Sequence, residues 1–118
     1  MSYKDLYVTE VEHFIQQPNT IVIDIRDIRS FHAGHIKNAL HIDGPTMSNL
    51  IRQRENHPSV LIYCYHGNSS RDMAGIISRF GFSDVSHLVG GWAAWARHQD
   101  QSQNDQAIFN GQLDGAFA

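Results

Sequence analysis

Cys64 is the only cysteine in this chain of 118 residues. A single thiol cannot form an intramolecular disulfide, a CxxC redox pair or a thiolate zinc site. The chain also lacks an apolar run of about 18 residues, the length a membrane-spanning helix needs. It has no positive-then-apolar N-terminus of the kind that marks a secretory signal. The expectation is a protein of the reducing cytoplasm with no membrane partner. Basic residues are scarce: nine Lys and Arg stand against twelve Asp and Glu, for a formal charge of −3. No basic patch is visible, so nucleic acid is not an expected partner. Mild acidity does not draw an anionic substrate either, and any such attraction must be local. No segment repeats. The length bounds the chain to one domain, and 42% hydrophobic residues suffice for one core without covalent staples.

What is present is organised around Val60-Leu61-Ile62-Tyr63-Cys64-Tyr65-His66-Gly67-Asn68-Ser69-Ser70-Arg71. Four β-favouring residues predict a short buried strand. A small, polar stretch from Gly67 to Ser70 follows, and a helix-period pattern begins at Arg71. Cys64 sits where the strand ends. A loop there can turn successive backbone N–H groups inward, and the next helix adds the positive end of its dipole. Such surroundings lower a thiol pKa from about 8.5 to roughly 3.5–7.5. Two readings of Cys64 stand side by side: a reactive thiolate at a strand end, where α/β folds place chemistry, and a buried structural cysteine. His66 either favours the thiolate or meets an anion, or it is a solvated loop histidine.

Elsewhere strands alternate with helices. Leu6-Tyr7-Val8 reads as a short strand, and Thr9 with Glu12 as a capping box ahead of Val11, Phe14 and Ile15. Pro18-Asn19 ends that helix. The run from Ile21 to Ile25, with Asp24 inside it, reads as a central strand covered on both faces. Asp24, Arg26 and Asp27 at its end are expected to form a salt-bridge group that fixes the next loop. Ser30 to Ile36 reads as a helical turn stopped by Gly34 in a C-cap role. Ala39 to Ile42 is the next strand. Asp43-Gly44-Pro45 then reads as a turn, with Thr46 capping a helix that carries Met47, Leu50 and Ile51. Asn56-His57-Pro58 breaks that helix.

Beyond Arg71, Met73, Ile76, Ile77 and Phe80 recur at helical spacing until Gly81. Val85 to Val89 is the last strand. Gly90-Gly91 turns into a short helix, Trp92 to Ala96, whose tryptophans are expected in the core. His32 and His35 lack a third ligand and have Gly34 between them, so neither a metal nor another cofactor is expected. From about Gln99 the composition becomes polar. This stretch reads as a weakly ordered tail whose Ile108, Phe109, Leu113 and Phe117 dock back on the domain. The whole predicts an α/β fold with a parallel sheet flanked by helices on both faces. Its domain spans residues 5–98, and a polar C-terminal tail covers 99–118.

Three blocks of residues carry a resemblance. Ile23-Asp24-Ile25-Arg26 with Phe31, Gly34-His35-Ile36 and Ala39 resembles the N-terminal signature of the rhodanese family. Cys64 to Ser70 occupies the place of that family's active-site loop. Gly90-Gly91-Trp92 with Trp95 resembles its C-terminal signature. The blocks occur in family order and spacing over roughly residues 5 to 97. The resemblance implies the three-layer rhodanese-like fold and a thiosulfate sulfurtransferase that needs no cofactor. In this chemistry the Cys64 thiolate takes the outer sulfur of thiosulfate or a similar donor and becomes a persulfide. The sulfur then passes to an acceptor such as cyanide or a thiol, for instance reduced thioredoxin.

The substrate contacts implied are Tyr65, His66, Gly67, Asn68, Ser69, Ser70 and Arg71. A ring of backbone N–H groups from Tyr65 to Ser69 is expected to stabilise anionic sulfur as preorganised donors, and Gly67 permits the backbone angles of such a ring. The Ser69 and Ser70 hydroxyls either donate to the anion or cap the next helix. Many family members carry arginine five residues after the cysteine, where this chain has Ser69. Positive charge is then expected from the helix end, His66 or Arg71. Related phosphatases and arsenate reductases resemble a Cys-x5-Arg pattern, and here Ser70 stands at the sixth position, with Arg71 one late. The other alternative is a non-enzymatic persulfide carrier or interaction module.

Overall fold

A computed structural model describes the backbone of residues 2–110 and the side chains through residue 101. Five strands form one parallel sheet: β1 (Lys4–Leu6), β2 (Thr20–Asp24), β3 (Leu40–His41), β4 (Ser59–Tyr63) and β5 (Asp84–Leu88), in the order β1-β5-β4-β2-β3. The helices between them are α1 (Val11–Gln16), α2 (Ile28–Ala33), α3 (Gly44–Gln53) and α4 (Asn68–Ser78), and α5 (Gly91–Asn110) follows β5. Side chains alternate across a strand, and the two faces of β4 show it. Leu61 and Tyr63 pack with Val11, Val22, Leu88 and Trp95 on the α1 and α5 side. Val60 and Ile62 pack with Ile23, Leu50, Ala74, Ile77 and Val85 on the α3 and α4 side. Each fully buried Ile, Leu or Val contributes on the order of 1.5–3 kcal/mol. The rigidity of β4 therefore comes from both layers, and Cys64 is the next residue along the chain.

The expected α/β architecture stands, with local corrections. The capping box lies two residues before Thr9 and Glu12: the Tyr7 amide donates to Glu10 Oε2 at 2.8 Å, opening a 3-10 turn over Val8–Glu10. Leu6 ends β1, so Tyr7 and Val8 belong to that turn rather than to a strand. Asp43, not Thr46, caps α3, accepting from the Thr46 amide at 2.7 Å. Pro45 sits in the first turn, where no N–H is needed. Gly34 does close α2, but with extended backbone (φ 171°) rather than a left-handed cap. Its Cα lies against Trp92, where a Cβ would come within 3.3 Å of the indole.

The inward face of α4 is Ser70, Ala74, Ile77 and Ser78. Ile76 and Phe80, read as apolar-face residues, are instead 42% and 46% exposed. The helix after Gly90-Gly91 does not stop near Ala96; it runs to Asn110 because neither Pro nor Gly interrupts the sequence before Gly111. The expected boundary at 98/99 thus falls inside a helix. Leu113 and Phe117 lie outside the described residues, as do the side chains of Ile108 and Phe109, so their docking does too.

Candidate active site

The carboxyl ends of β4 and β2 open into a cavity of about 280 Å³ lined by Ile25, Arg26, Asp27, Cys64, Tyr65, His66, Asn68 and Ser69. Cys64 is only 7% exposed, and it lies in the wall of this cavity. Gly67 is the reason the chain can double back over the sulfur. Its φ of 98° is left-handed, and a Cβ there would approach the Gly90 amide to 3.1 Å. The turn lets α4 begin at Asn68, three residues before the helix-period pattern announced it. First-turn amides have no partner inside their own helix, and here two of the loop's amides face the thiol. The Gly67 and Ser70 amides donate to Cys64 Sγ at 3.1 and 3.3 Å. The Ser70 hydroxyl lies 3.4 Å from the same sulfur. Burial pushes the Cys64 thiol up. Hydrogen bonds from the Ser70 hydroxyl and from the Ser70, Gly67 and His66 amides more than reverse that, and the net pKa lies below the ordinary thiol value.

The loop is fixed from behind. Trp92 and Ala93 at the start of α5 donate their amides to the carbonyls of Cys64 and Tyr65 at 2.8 and 3.0 Å. The approach is so close that a Cβ on Gly91 would fall 2.5 Å from the Cys64 oxygen. One wall of the cavity is held by the group expected to be structural. Arg26 bonds Asp24 through Nε and Nη2, the shortest contact being 2.7 Å, and donates to the Gly34 carbonyl at 2.6 Å. Tyr63 donates to Asp24 at 2.6 Å. The guanidinium carbon lies 4.3 Å from the Trp92 ring centroid and 5.5 Å from that of Tyr65. Burial lowers the Arg26 pKa, but the bond and charge of Asp24 outweigh it, and the cation is kept. Tyr65 donates to Asp27 at 3.0 Å, and Ser30 bonds both groups. Bonds from the Ser30 hydroxyl, the Ser30 amide and Tyr65 hold the Asp27 carboxyl at about 2.

Most of the residues singled out from sequence meet here. Tyr65, His66, Asn68 and Ser69 line the cavity, while Gly67 and Ser70 lie buried against the sulfur. Arg71 does not line it; it is exposed on α4. The cation in the wall is Arg26, which the sequence reading assigned to structure alone. Ile25 and Asp27 also line the cavity and were not anticipated as site residues. Nor were His87 and Asp5: His87 Nδ1 is 3.3 Å from Ser70 Oγ, and its Nε2 is 2.9 Å from Asp5 Oδ1. The one signal available for them was a histidine at an inward position of a strand. His35, considered as a metal ligand, stacks on Phe31 at 4.0 Å instead.

Residues 7–98 match the family described as Rhodanese-like domain. The chain belongs to that family. Among relatives of this rhodanese-like protein is a Coxiella burnetii protein named Thiosulfate sulfurtransferase GlpE, 32% identical over 102 residues, covering 86% of this chain and 95% of that one. A Pseudomonas putida protein of the same name is 41% identical over 80 residues, or 68% of this chain and 73% of that one. The fold resembles the crystal structure of a rhodanese-related protein from Thermoplasma volcanium, with a TM-score of 0.67 at 21% identity, over 81% of this chain and 93% of that one. Rhodanese membership and these relatives support sulfurtransferase activity in general.

Proposed function

We propose that this protein is a thiosulfate sulfurtransferase that works through a persulfide on Cys64. The observation that carries the reading is the thiol in the cavity wall, with the Gly67 and Ser70 amides aimed at its sulfur. In the first half-reaction the Cys64 thiolate attacks the outer sulfur of thiosulfate. The S–S bond of the donor breaks, and sulfite leaves with its electron pair. Amides that held the thiolate then hold the terminal sulfur of the persulfide, as preorganised dipoles hold developing charge. In the second half-reaction cyanide, or a thiol such as that of reduced thioredoxin, attacks that terminal sulfur, and the Cys64 thiolate is released. A covalent intermediate of this kind gives ping-pong kinetics. With no second cysteine in the sequence, discharge depends on an external acceptor.

Asn68 and Ser69 at the start of α4, with Tyr65 and His66 at the rim, form the wall that receives the donor. Arg26 lines the same cavity, but its side chain is 2% exposed and paired with Asp24, so it braces the wall rather than presenting a free cation to the donor. Arg71, one residue past Ser70, contributes only the charge of an exposed side chain on α4. A lone nucleophilic thiol suits the reducing cytoplasm, and no helix among the described residues is long and apolar enough to cross a membrane. The catalytic unit is residues 5–98. A chain ending at residue 98 is expected to keep its rate within about twofold, since among the described residues none beyond 98 lines the cavity.

The deciding experiment incubates the protein with thiosulfate and cyanide and follows thiocyanate, beside Cys64→Ser. Wild type is expected to turn over, and mass spectrometry after thiosulfate alone should find one added sulfur on the Cys64 peptide. The serine variant should fold and be inactive. Persulfide loading without turnover would identify a carrier module instead. Hydrolysis of a chromogenic phosphate ester would point to phosphatase chemistry. Against that last outcome stands Ser70, fully buried beneath the sulfur at the position where the phosphatase pattern has arginine.

A further inference from the structure

A single line of hydrogen-bonding groups runs from the nucleophile to the far edge of the sheet. Ser70 Oγ lies 3.4 Å from Cys64 Sγ and 3.3 Å from His87 Nδ1, and His87 Nε2 lies 2.9 Å from Asp5 Oδ1. Parallel pairing sets the last step, because Asp5 and His87 are register partners in β1 and β5. The direction of the bonds follows from chemistry. A carboxylate only accepts, so Nε2 carries a proton and donates it to Asp5. In the neutral ring Nδ1 is then an acceptor, Ser70 Oγ–H donates to it, and the Ser70 oxygen is left to accept from the Cys64 thiol.

We propose that His87, backed by Asp5, is a positioning residue that draws the Cys64 proton away through Ser70. The transfer balances: the thiol proton passes to Ser70 Oγ as the hydroxyl proton passes to His87 Nδ1. No electrons change hands. The products are a thiolate, which now accepts from Ser70 Oγ–H, and an imidazolium paired with Asp5. His87 is fully buried and the Asp5 side chain is 55% exposed, so the carboxylate is the outlet to solvent. The groups facing the imidazole are Asp5 from β1, the edge of the Tyr3 ring at 5.4 Å just before it, Ser70 from α4 and apolar Ile62 from β4. Among the described residues the ring has no other hydrogen-bonded or ion-paired partner. An unpaired imidazolium there would be costly, which makes Asp5 the element that permits it.

This inference rests on the proposed function only in taking Cys64 as the nucleophile, and its test needs no sulfur donor. The rate of Cys64 alkylation by iodoacetamide is measured against pH for wild type, Asp5→Asn, Asp5→Glu and His87→Gln. Asp5→Asn keeps the size of a half-exposed side chain and removes its charge. The pH at half-maximal rate is expected to rise by about one unit in this variant, making alkylation roughly tenfold slower below pH 7. His87→Gln should move it at least as far, and Asp5→Glu should stay near wild type. A merely structural role for Asp5 would alter the denaturation midpoint and leave the pH profile in place. Superimposed profiles for wild type and folded Asp5→Asn overturn the proposal, whether or not His87→Gln folds. Failure of thiosulfate turnover in wild type, with the profiles still displaced, would overturn the sulfur-transfer reading alone.

Discussion

Two buried polar clusters sit on opposite faces of the sheet, and they are built to different plans. On the α1 and α5 face, Asp24, Arg26 and Tyr63 close on themselves. The carboxylate accepts from the guanidinium, the Arg26 amide and the Tyr63 hydroxyl, and both charged side chains are at most 2% exposed. On the α4 face, Ser70, His87 and Asp5 form an open line whose last member reaches solvent. A closed, fully satisfied ion pair fixes geometry and resists any change of charge. An open line ending in a solvated carboxylate holds geometry less firmly but can change its protonation. The same sheet thus carries a brace on one side and a route for a proton on the other.

The sharpest way to break this contrast is to remove one carboxylate from each. Asp24→Ala leaves Arg26 buried without its partner and is expected to cost roughly 3–5 kcal/mol in a denaturant titration. Asp5→Ala is expected to cost less, about 1–3 kcal/mol, because it strips the buried His87 N–H of its partner but leaves no obligate charge unpaired. Equal costs would mean that the two clusters do the same structural work. Gly67→Val tests the turn between them. Backbone strain of about 1–3 kcal/mol should appear mainly as lost turnover, because the strain falls on the amide that faces the sulfur; full turnover would refute the described role of the loop.

The smallest effect concerns Asp27, on the rim and exposed. Its carboxyl is held at about 2 in the folded protein, below its ordinary value of 3.8. A depressed carboxyl pKa stabilises the fold above the unfolded value, and that stabilisation fades as pH falls through the folded one. The advantage of wild type over Asp27→Ala should therefore be constant at neutral pH and shrink between about pH 4 and pH 2, as read from denaturation midpoints. An advantage that persisted unchanged at pH 2 would show that Asp27, the N-cap of α2, accepts from the Ser30 amide without needing its charge.

Much of this is legible in the sequence alone. The central strands are continuous apolar runs, as parallel strands buried on both faces must be, so β2 and β4 stood out from composition. Helix caps were harder, because adjacent Ser, Thr, Asp and Glu compete for one role. Only the chain's path decides between Asp43 and Thr46, or between the Glu10 and Glu12 carboxylates. The loop from Cys64 to Ser70 could be picked out by its place between a strand and a helix and by the rhodanese resemblance. Arg26 reads as structural from the sequence and pairs with Asp24 as expected; its place in the cavity wall depends on where Trp92 and Tyr65 stack. The pairing of Asp5 with His87 spans 82 positions and exists only through the register of two neighbouring strands, so no local pattern could disclose it.

β1 is three residues long, lies at the border of the sheet and, among the described residues, pairs with β5 alone. Border strands breathe more readily than interior ones, since fewer bonds must open. The carboxylate at the end of the proton route is thus carried by a strand that opens easily. Fusion partners or tags attached ahead of residue 4 would act on nucleophile reactivity from a distance. Amide exchange at Lys4, Asp5 and Leu6 then becomes a gauge of how often the thiol is left without its distant acceptor.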